Sequence, residues 1–443
     1  MRFGTDGIRG HADRDLTDAL ASDVGRAAAQ VIGPSADHRA VIGADPRESS
    51  ARLVAAVADG LASAGVQVVD LGIVPTPVVA FEAARTGALG VMVSASHNPF
   101  HDNGIKVFGP GGHKLSDRDQ QAIEAALATD VTATDATRAS VSAAAADDVA
   151  ERYRAHVTGV IGEDALSGLH IVLDAAHGAG ATLGPAVLAS LGAHVTTIGV
   201  APTGRNINDG VGATAPGALA AAVVEAGADL GLALDGDADR LIAVDHSGAI
   251  VDGDHVLCIL ACDMAARGVL AHNTVVVTVM SNLGLHQAMA AAGLSVVTTP
   301  VGDRAVAAAM EEHGASLGGE QSGHVILADH ATTGDGILTG AVLAAAVARQ
   351  GRSLAELATV MTALPQVLVN VASPGRAGEI PAEVTREAER VEAELGDTGR
   401  VLVRPSGTEP LLRIMVEAPT VAGAEAAAAR IADAVGRHRT AGT

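Results

Sequence analysis

Short β-branched runs alternate with Ala-rich stretches of helical period along most of the chain. The runs are AVIGAD (40–45), VQVVDLG (66–72), LGVMVSAS (89–96), LHIVLDAA (169–176), LGLALD (230–235), TVVVTVMS (274–281) and SVVTTP (295–300). Apolar strands of this kind, separated by helical stretches such as SARLVAAVADGLASAG (50–65), predict α/β units of parallel sheet with helices on both faces. One hairpin is legible at LIAVDHSGAIVDGD (241–254), with Ser247-Gly248 in the turn. The pattern changes near the C-terminus. There the order is strand (QVLVNVA), helix (379–395), two strands (RVLVR, LLRIMVEA) and helix (421–437), an α+β arrangement.

At ~150 residues per domain, 443 residues predict three domains, with four admissible. Residues 128–146 show no strand pattern and read as a surface segment before a linking helix, DDVAERYRAHV. Further breaks fall near Asp252-Gly253 and near 363–375, so the expected division is 1–155, 156–253, 254–366 and 367–443. A net charge of −22 repels nucleic acid and anionic membranes, so neither is an expected partner. Only 1% of residues are aromatic, so the core must be built from Ala, Val, Leu and Ile. Cys258 and Cys262, at i, i+4, share one face of an apolar helix and read as buried hydrophobes, not a disulfide framework. No signal-peptide h-region and no apolar run near ~18 residues is visible, so a soluble, cytoplasmic protein is expected.

Several loops carry candidate chemistry. Asp235-Gly-Asp237-Ala-Asp239-Arg240 follows LGLAL, and three carboxylates at alternate positions can converge on one hard cation. Mg²⁺ suits a site with three carboxylates and positions left for phosphate oxygen and water. An EF-hand fails, since Arg240 and His246 stand where Gly and Glu are needed. Ser94-Ala-Ser96-His97-Asn98-Pro99 sits at the end of LGVMV, where open α/β sheets bind ligands. A Ser-His-Asp hydrolase is disfavoured because no G-x-S-x-G elbow is present. Arg404-Pro-Ser406-Gly407-Thr408-Glu-Pro410 offers a guanidinium, two hydroxyls and a Gly amide, a natural phosphate cradle. Gly319-Glu320-Gln321-Ser322-Gly323-His324 can read sugar hydroxyls and amines, while HGAGATLG (177–184) has Leu183 in place of the third dinucleotide glycine. FGTDGIRG (3–10) and DNGIK (102–106) read as Gly-rich turns with one cation each.

Taken in order, FGTDGIRG, SASHNP, DNGIK, DGDADR, GEQSGH and RPSGTEP resemble the α-D-phosphohexomutases, and they span residue 3 to beyond 408. SASHNP, VMSNLGL (279–285), VGDR (301–304) and GEQSGH are closest to the glucosamine-phosphate branch; relatives acting on mannose or glucose phosphates more often read TASHNP and GEMSGH. The resemblance implies a four-domain architecture: three related α/β domains and a smaller C-terminal α+β domain of TATA-binding-like type around a central cleft. It implies interconversion of glucosamine 6-phosphate and glucosamine 1-phosphate through a phosphoserine and a glucosamine 1,6-bisphosphate intermediate, feeding UDP-N-acetylglucosamine and cell-wall synthesis. A mutase for glucose or mannose phosphates is the close alternative; a phosphatase and a non-catalytic sugar-phosphate sensor are more remote ones.

The same resemblance assigns roles. Ser96 would carry the phosphoryl group, and Asp235, Asp237 and Asp239 would hold Mg²⁺ together with a Ser96 phosphate oxygen. Arg9 and Lys106 would flank the phosphoserine, with His97 in the same catalytic set. Lys106 is the candidate acid/base, its pKa lowered by neighbouring cations. Glu320, Ser322, His324 and Arg240 would bind the sugar phosphate, and Arg404, Ser406, Gly407 and Thr408 would grip its non-reacting phosphate. The expected partner is a small sugar phosphate; the oligomeric state stays open, with a homodimer among the options.

Overall fold

Six strands form the first sheet of the computed structural model: β1 (Ile8–His11), β2 (Arg39–Ala44), β3 (Gln67–Ile73), β4 (Leu89–Val93), β5 (Asp102–Phe108) and β6 (Val141–Ala143). Their order is β1-β5-β4-β2-β3-β6. The residues described are 7–128, 137–372, 380–405 and 411–441, of which 438–441 are helical backbone only. All five residues of β4, LGVMV, are buried, as a central strand covered on both faces requires. The parallel pairing expected from the sequence holds for β2 with β3 and β4, but β4–β5 and β1–β5 are antiparallel. The chain returns from β4 into β5 through one short loop, too short for a parallel crossover.

Two expectations are corrected here. DNGIK and the described end of FGTDGIRG are paired strands, not isolated turns, with Arg9 opposite Gly104. Their glycines hide the strand pattern, and backbone pairing supplies what the side chains do not. The segment 128–146 was expected to lack a strand, yet Val141–Ala143 pairs in parallel with β3 at the sheet edge. Its three residues are all exposed, so it offers no burial pattern to read. The linking helix is Ala146–Ile161.

The second sheet, β7 (His170–Asp174), β8 (His194–Ile198), β9 (Leu230–Leu234), β10 (Leu241–Asp245) and β11 (Ile250–Val251), runs in the order β11-β10-β9-β7-β8. The expected hairpin is β10–β11. The third sheet is β12 (Thr274–Thr278), β13 (Ser295–Thr299), β14 (Leu317–Gly319) and β15 (Val325–Leu327), with Glu320–His324 in the β14–β15 turn. Packing between layers relies on small residues. Helices Asp18–Val31 and Ser50–Ser63 approach so closely that a Cβ at Gly60 would collide with the Ser22 carbonyl. Fully buried aliphatics such as Ile42, Leu53, Leu61 and Leu89 then carry the apolar burial, each contributing about 1.5–3 kcal/mol. Cys258 lies buried and Cys262 half-buried on helix Gly253–Ala266, neither in a disulfide, and burial raises both thiol pKa values.

The chain divides into two compact units, 1–280 with 294–360, and 281–293 with 361–443. The second is built on an antiparallel sheet of β16 (Gln366–Ala372), β17 (Arg400–Pro405) and β18 (Leu411–Glu417), with β18 central. Helices Ala382–Leu395 and Val421–Ala441 bury Val384, Val391, Ile431 and Val435 against Leu412, Ile414 and Val416. Helix Leu283–Ala291 belongs to this unit. Asn282 exchanges side-chain bonds with the Leu364 backbone at 2.9 Å each, and Arg400 Nη2 donates to the Ser281 carbonyl at 2.7 Å. Among the described residues no helix is long and apolar enough to cross a membrane.

Candidate active site

Ser96 stands just past β4 in left-handed backbone (φ +54°), almost fully buried. Such a conformation in a non-glycine residue is strained and needs outside support. Ser96 N–H donates to Ser94 Oγ at 2.9 Å, and Asn208 Nδ2 donates to the Ser96 carbonyl at 2.9 Å. The Ser96 hydroxyl donates to Asp235 Oδ2 at 2.5 Å, across 139 residues of sequence. This approach depends on Gly236. A Cβ there would stand 2.6 Å from the Ser96 carbonyl oxygen and 2.8 Å from Asn208 Nδ2.

Asp235, Asp237 and Asp239 are buried, and one carboxylate oxygen from each lies within 4.8 Å of the others. The strand LGLAL and the following strand LIAVD pair antiparallel, which fixes the turn between them. Burial, then Asp239 and Asp237, push the Asp235 carboxyl well above the ordinary range. Asp239 is driven the other way: burial opposes ionisation, but Lys106, His324 and Arg240 hold it well below the ordinary range. Lys106 Nζ, on β5, donates to Asp237 Oδ2 at 2.7 Å and to Asp239 Oδ2 at 3.1 Å. Both of these partners are carboxylates of the triad. Asp237 Oδ1 and Asp239 Oδ1 are buried and find no hydrogen-bond partner among the described residues. Two orphaned anionic oxygens beside a third carboxylate make an all-oxygen donor set that suits a hard divalent cation.

The other expected residues fall around this centre in different ways. His97 Nδ1 is 3.4 Å from Ser96 Oγ. Burial, followed by Arg240 and Arg9, lowers the His97 pKa to about 4, so the ring is neutral at neutral pH. Arg240 Nε is 3.9 Å from Asp235 and 3.8 Å from Asp239. Arg9, on β1, packs close over Gly104: a Cβ there would stand 3.1 Å from Arg9 Cγ and 2.5 Å from the Ser94 carbonyl oxygen. Glu320 accepts the Gly302 amide at 3.2 Å, and Ser322 is exposed in the turn. His324 is buried, with Nδ1 3.8 Å from Asp239 Oδ1. Gly334 N–H donates to His324 Nε2 at 3.0 Å, so the ring proton belongs on Nδ1, facing Asp239. Gln321 donates to Asp252, the N-cap of helix Gly253–Ala266, which gives it a structural partner in place of a ligand.

In the C-terminal unit, Arg404 on β17 lies directly opposite Arg413 on β18. Burial and then Arg413 lower the Arg404 pKa. Arg413 Nε is buried without a partner among the described residues. Two guanidinium side chains on one face of a sheet form an anion-seeking pair. Ser406, Gly407 and Thr408 lie outside the described residues.

Five residues escape a reading of sequence alone. Thr76 Oγ1 donates to Asp237 Oδ2 at 2.6 Å from the start of helix Thr76–Thr86. Asn208 braces the Ser96 loop, and Asp45 and Arg47 lie beneath it. The available signal was position: Asp45-Pro-Arg47 follows directly on β2, at the same strand ends that carry ligands in open α/β sheets. Arg413 carried no signal beyond a charge inside the mostly apolar strand LLRIMVE.

Models of one family match successive parts of the chain: Phosphoglucomutase/phosphomannomutase, alpha/beta/alpha domain I over residues 1–134, domain II over 151–248, domain III over 252–364, and the C-terminal domain over 347–434. The phosphoglucosamine mutase of Streptomyces coelicolor is 53% identical over 444 residues, covering 98% of this chain and 98% of its own. Among solved structures, a putative phosphomannomutase from Thermus thermophilus superposes with a TM-score of 0.80 at 26% identity, covering 98% of this chain and 99% of that one. Aspergillus fumigatus N-acetylphosphoglucosamine mutase, solved with GlcNAc-6P and magnesium, gives 0.69 at 18% identity over 100% and 96%, a likeness of fold.

Proposed function

The chain belongs to the phosphoglucomutase/phosphomannomutase family, and from that premise we propose that it is a phosphoglucosamine mutase, interconverting glucosamine 6-phosphate and glucosamine 1-phosphate. The observation that carries the reading is the Ser96 hydroxyl held 2.5 Å from a buried triad of carboxylates.

Ser96 is assigned the phosphoryl group. A sugar hydroxyl oxygen attacks phosphorus, the bond to Ser96 Oγ breaks, and the serine regains a proton. The product is glucosamine 1,6-bisphosphate. After the bisphosphate turns end for end, Ser96 Oγ attacks its other phosphate and the serine proton passes to the departing sugar oxygen. Each half-reaction is an in-line displacement, whose cost is set by positioning and by neutralising the phosphoryl oxygens.

Asp235, Asp237 and Asp239 would hold Mg²⁺, with an oxygen of phospho-Ser96 as a further ligand. Such an ion supplies Lewis-acid neutralisation of phosphoryl charge when bound. Arg240 and Arg9 add positive charge on the same side, as their effect on His97 indicates. Lys106 is our candidate for moving the proton. Its ammonium is anchored by Asp237 and Asp239 and reaches the same pocket as Ser96 Oγ. His97 is a neutral hydrogen-bonding group here, too weak a base to lead at neutral pH. Glu320, Ser322 and His324 are assigned to the sugar, and Arg404, with Ser406, Gly407, Thr408 and the newly located Arg413, to the distal phosphate. We propose four domains, 1–155, 156–253, 254–366 and 367–443, and place the enzyme with its sugar-phosphate substrate in the cytoplasm.

The test is formation of glucosamine 1-phosphate from glucosamine 6-phosphate with Mg²⁺ and trace bisphosphate. kcat/KM should be highest on glucosamine phosphates. Higher values on glucose or mannose phosphates would shift the assignment within the family, and steady release of inorganic phosphate would make the protein a phosphatase.

A further inference from the structure

We propose that Arg47 and Asp45 are positioning residues for phosphoryl transfer, a buried ion pair that locks the loop carrying Ser96. The proposal rests on the reading of Ser96 as the phosphoryl carrier.

The geometry is specific. Both side chains of the pair are 0% exposed. Arg47 Nε donates to Asp45 Oδ2 at 2.8 Å. Its two terminal nitrogens reach four backbone carbonyls, three in the loop and one at the start of β5: Ser96 at 2.9 Å, Asn98 at 2.8 Å, Pro99, and Asp102 at 3.0 Å. A guanidinium has five N–H donors in a fixed planar fork, and all five are engaged here. A lysine offers three donors from one point and cannot reproduce the set.

Asp45 ties the fork to the serine itself. Its Oδ2 also accepts the Ser94 hydroxyl at 2.6 Å, and Ser94 Oγ accepts the Ser96 amide at 2.9 Å. Its Oδ1 accepts Ser50 Oγ at 3.0 Å and the Arg47 amide at 3.1 Å. The loop between β4 and β5 is neither helix nor sheet, so no regular ladder satisfies its carbonyls. Arg47 supplies donors to those of Ser96, Asn98 and Pro99, and to that of Asp102 at the start of β5. Ser96 is thus held at its carbonyl by Arg47 and Asn208 and at its amide by Ser94, in a left-handed conformation it would not keep alone.

The consequence is catalytic. Ser96 Oγ must meet Asp235 and the incoming sugar phosphate in the same place in both half-reactions, while the bisphosphate turns over. The substrate-facing groups contribute nothing to that constancy if the loop drifts. A misplacement of ~1 Å in a reacting group costs on the order of 10²-fold in rate.

The experiment follows Ser96 phosphorylation in a single turnover with glucosamine 1,6-bisphosphate, read by intact mass, alongside steady-state kinetics and thermal melting of the full chain. Arg47→Lys is expected to slow phosphorylation and kcat by on the order of 10²-fold, with KM for glucosamine 6-phosphate within about threefold of the parent. Ser94→Ala removes the hydroxyl that bridges Asp45 and the Ser96 amide, keeps both charges, and is expected to slow the same step by about tenfold or more. It decides the matter if Arg47→Lys does not fold. A purely structural role would lower Tm while the folded fraction transfers at the parental rate. Folded variants within about threefold of the parental phosphorylation rate would overturn the proposal. Failure of the parent itself to take phosphate on Ser96 would instead overturn the functional reading beneath it.

Discussion

Ser96, at the residue scale, is one hydroxyl whose loss removes a covalent carrier but little packing. Its loop position and small side chain mean that Ser96→Ala should melt close to the parent, while mutase turnover falls by orders of magnitude. Turnover above about a tenth of the parental rate would remove Ser96 from its role. The triad makes an opposite kind of prediction. Buried carboxylates repel one another, and Asp235 already resists ionisation because of burial, Asp239 and Asp237. Asp237→Asn should therefore melt no lower than the parent in a chelator, apart from the loss at Thr76 and Lys106, yet gain far less from Mg²⁺. A bound ion at 100 times its Kd stabilises by about 2.7 kcal/mol, so the parental Tm should rise on titration and the variant's should hardly move. Equal Mg²⁺-induced shifts would show that the triad is not the binding site. These residues were legible because each motif is contiguous and its residue types have few other uses. Thr76, Asp45, Arg47 and Asn208 were not, because they act through partners far along the chain, 161 residues away for Thr76 and Asp237, 49 for Arg47 and Ser96.

Helix Gly253–Ala266 shows what the elements add. Asp263 on it accepts Arg349 and Gln350 from helix Gly336–Gln350, together with Arg267. Burial opposes the charge, but the hydrogen bonds and charge from these partners lower the Asp263 pKa below its ordinary value of 3.8. A depressed folded-state pKa contributes stability that is present above the unfolded pKa and lost as pH falls through the folded one. Asp263→Asn should thus be less stable than the parent at neutral pH, with the gap closing below about pH 4. Urea midpoints measured at pH 7 and pH 3 check this; a gap that widens on acidification would contradict it. At this scale the central strands were readable, since LGVMV and LGLAL are buried along their whole length. The edge strands β1 and β6, and β5 beside β1, were not. They are interrupted by glycine or exposed, and the register of backbone bonds defines them.

The whole molecule divides its chemistry between two units, the serine and carboxylates in one, the Arg404–Arg413 pair in the other. Arg404 has a like-charged neighbour across the sheet, an arrangement that an anion relieves. Arg404→Ala should raise KM for glucosamine 6-phosphate strongly and lower kcat less, the pattern of lost uniform binding. Unchanged KM would remove Arg404 from the distal phosphate. Five ordered motifs in the first unit and one in the second announced this organisation in the sequence. The grouping of residues 281–293 with the C-terminal unit was hidden, because it depends on Asn282, Arg400 and Glu417, which are distant in the chain.

The most direct measurement follows the phosphoryl group itself. Protein incubated with Mg²⁺ and bisphosphate carrying labelled phosphate should become labelled on Ser96, located by peptide mass spectrometry. Unlabelled glucosamine 6-phosphate should then chase the label into glucosamine 1,6-bisphosphate and glucosamine 1-phosphate, with little released as inorganic phosphate. Label absent from Ser96, or leaving it chiefly for water, would contradict the account.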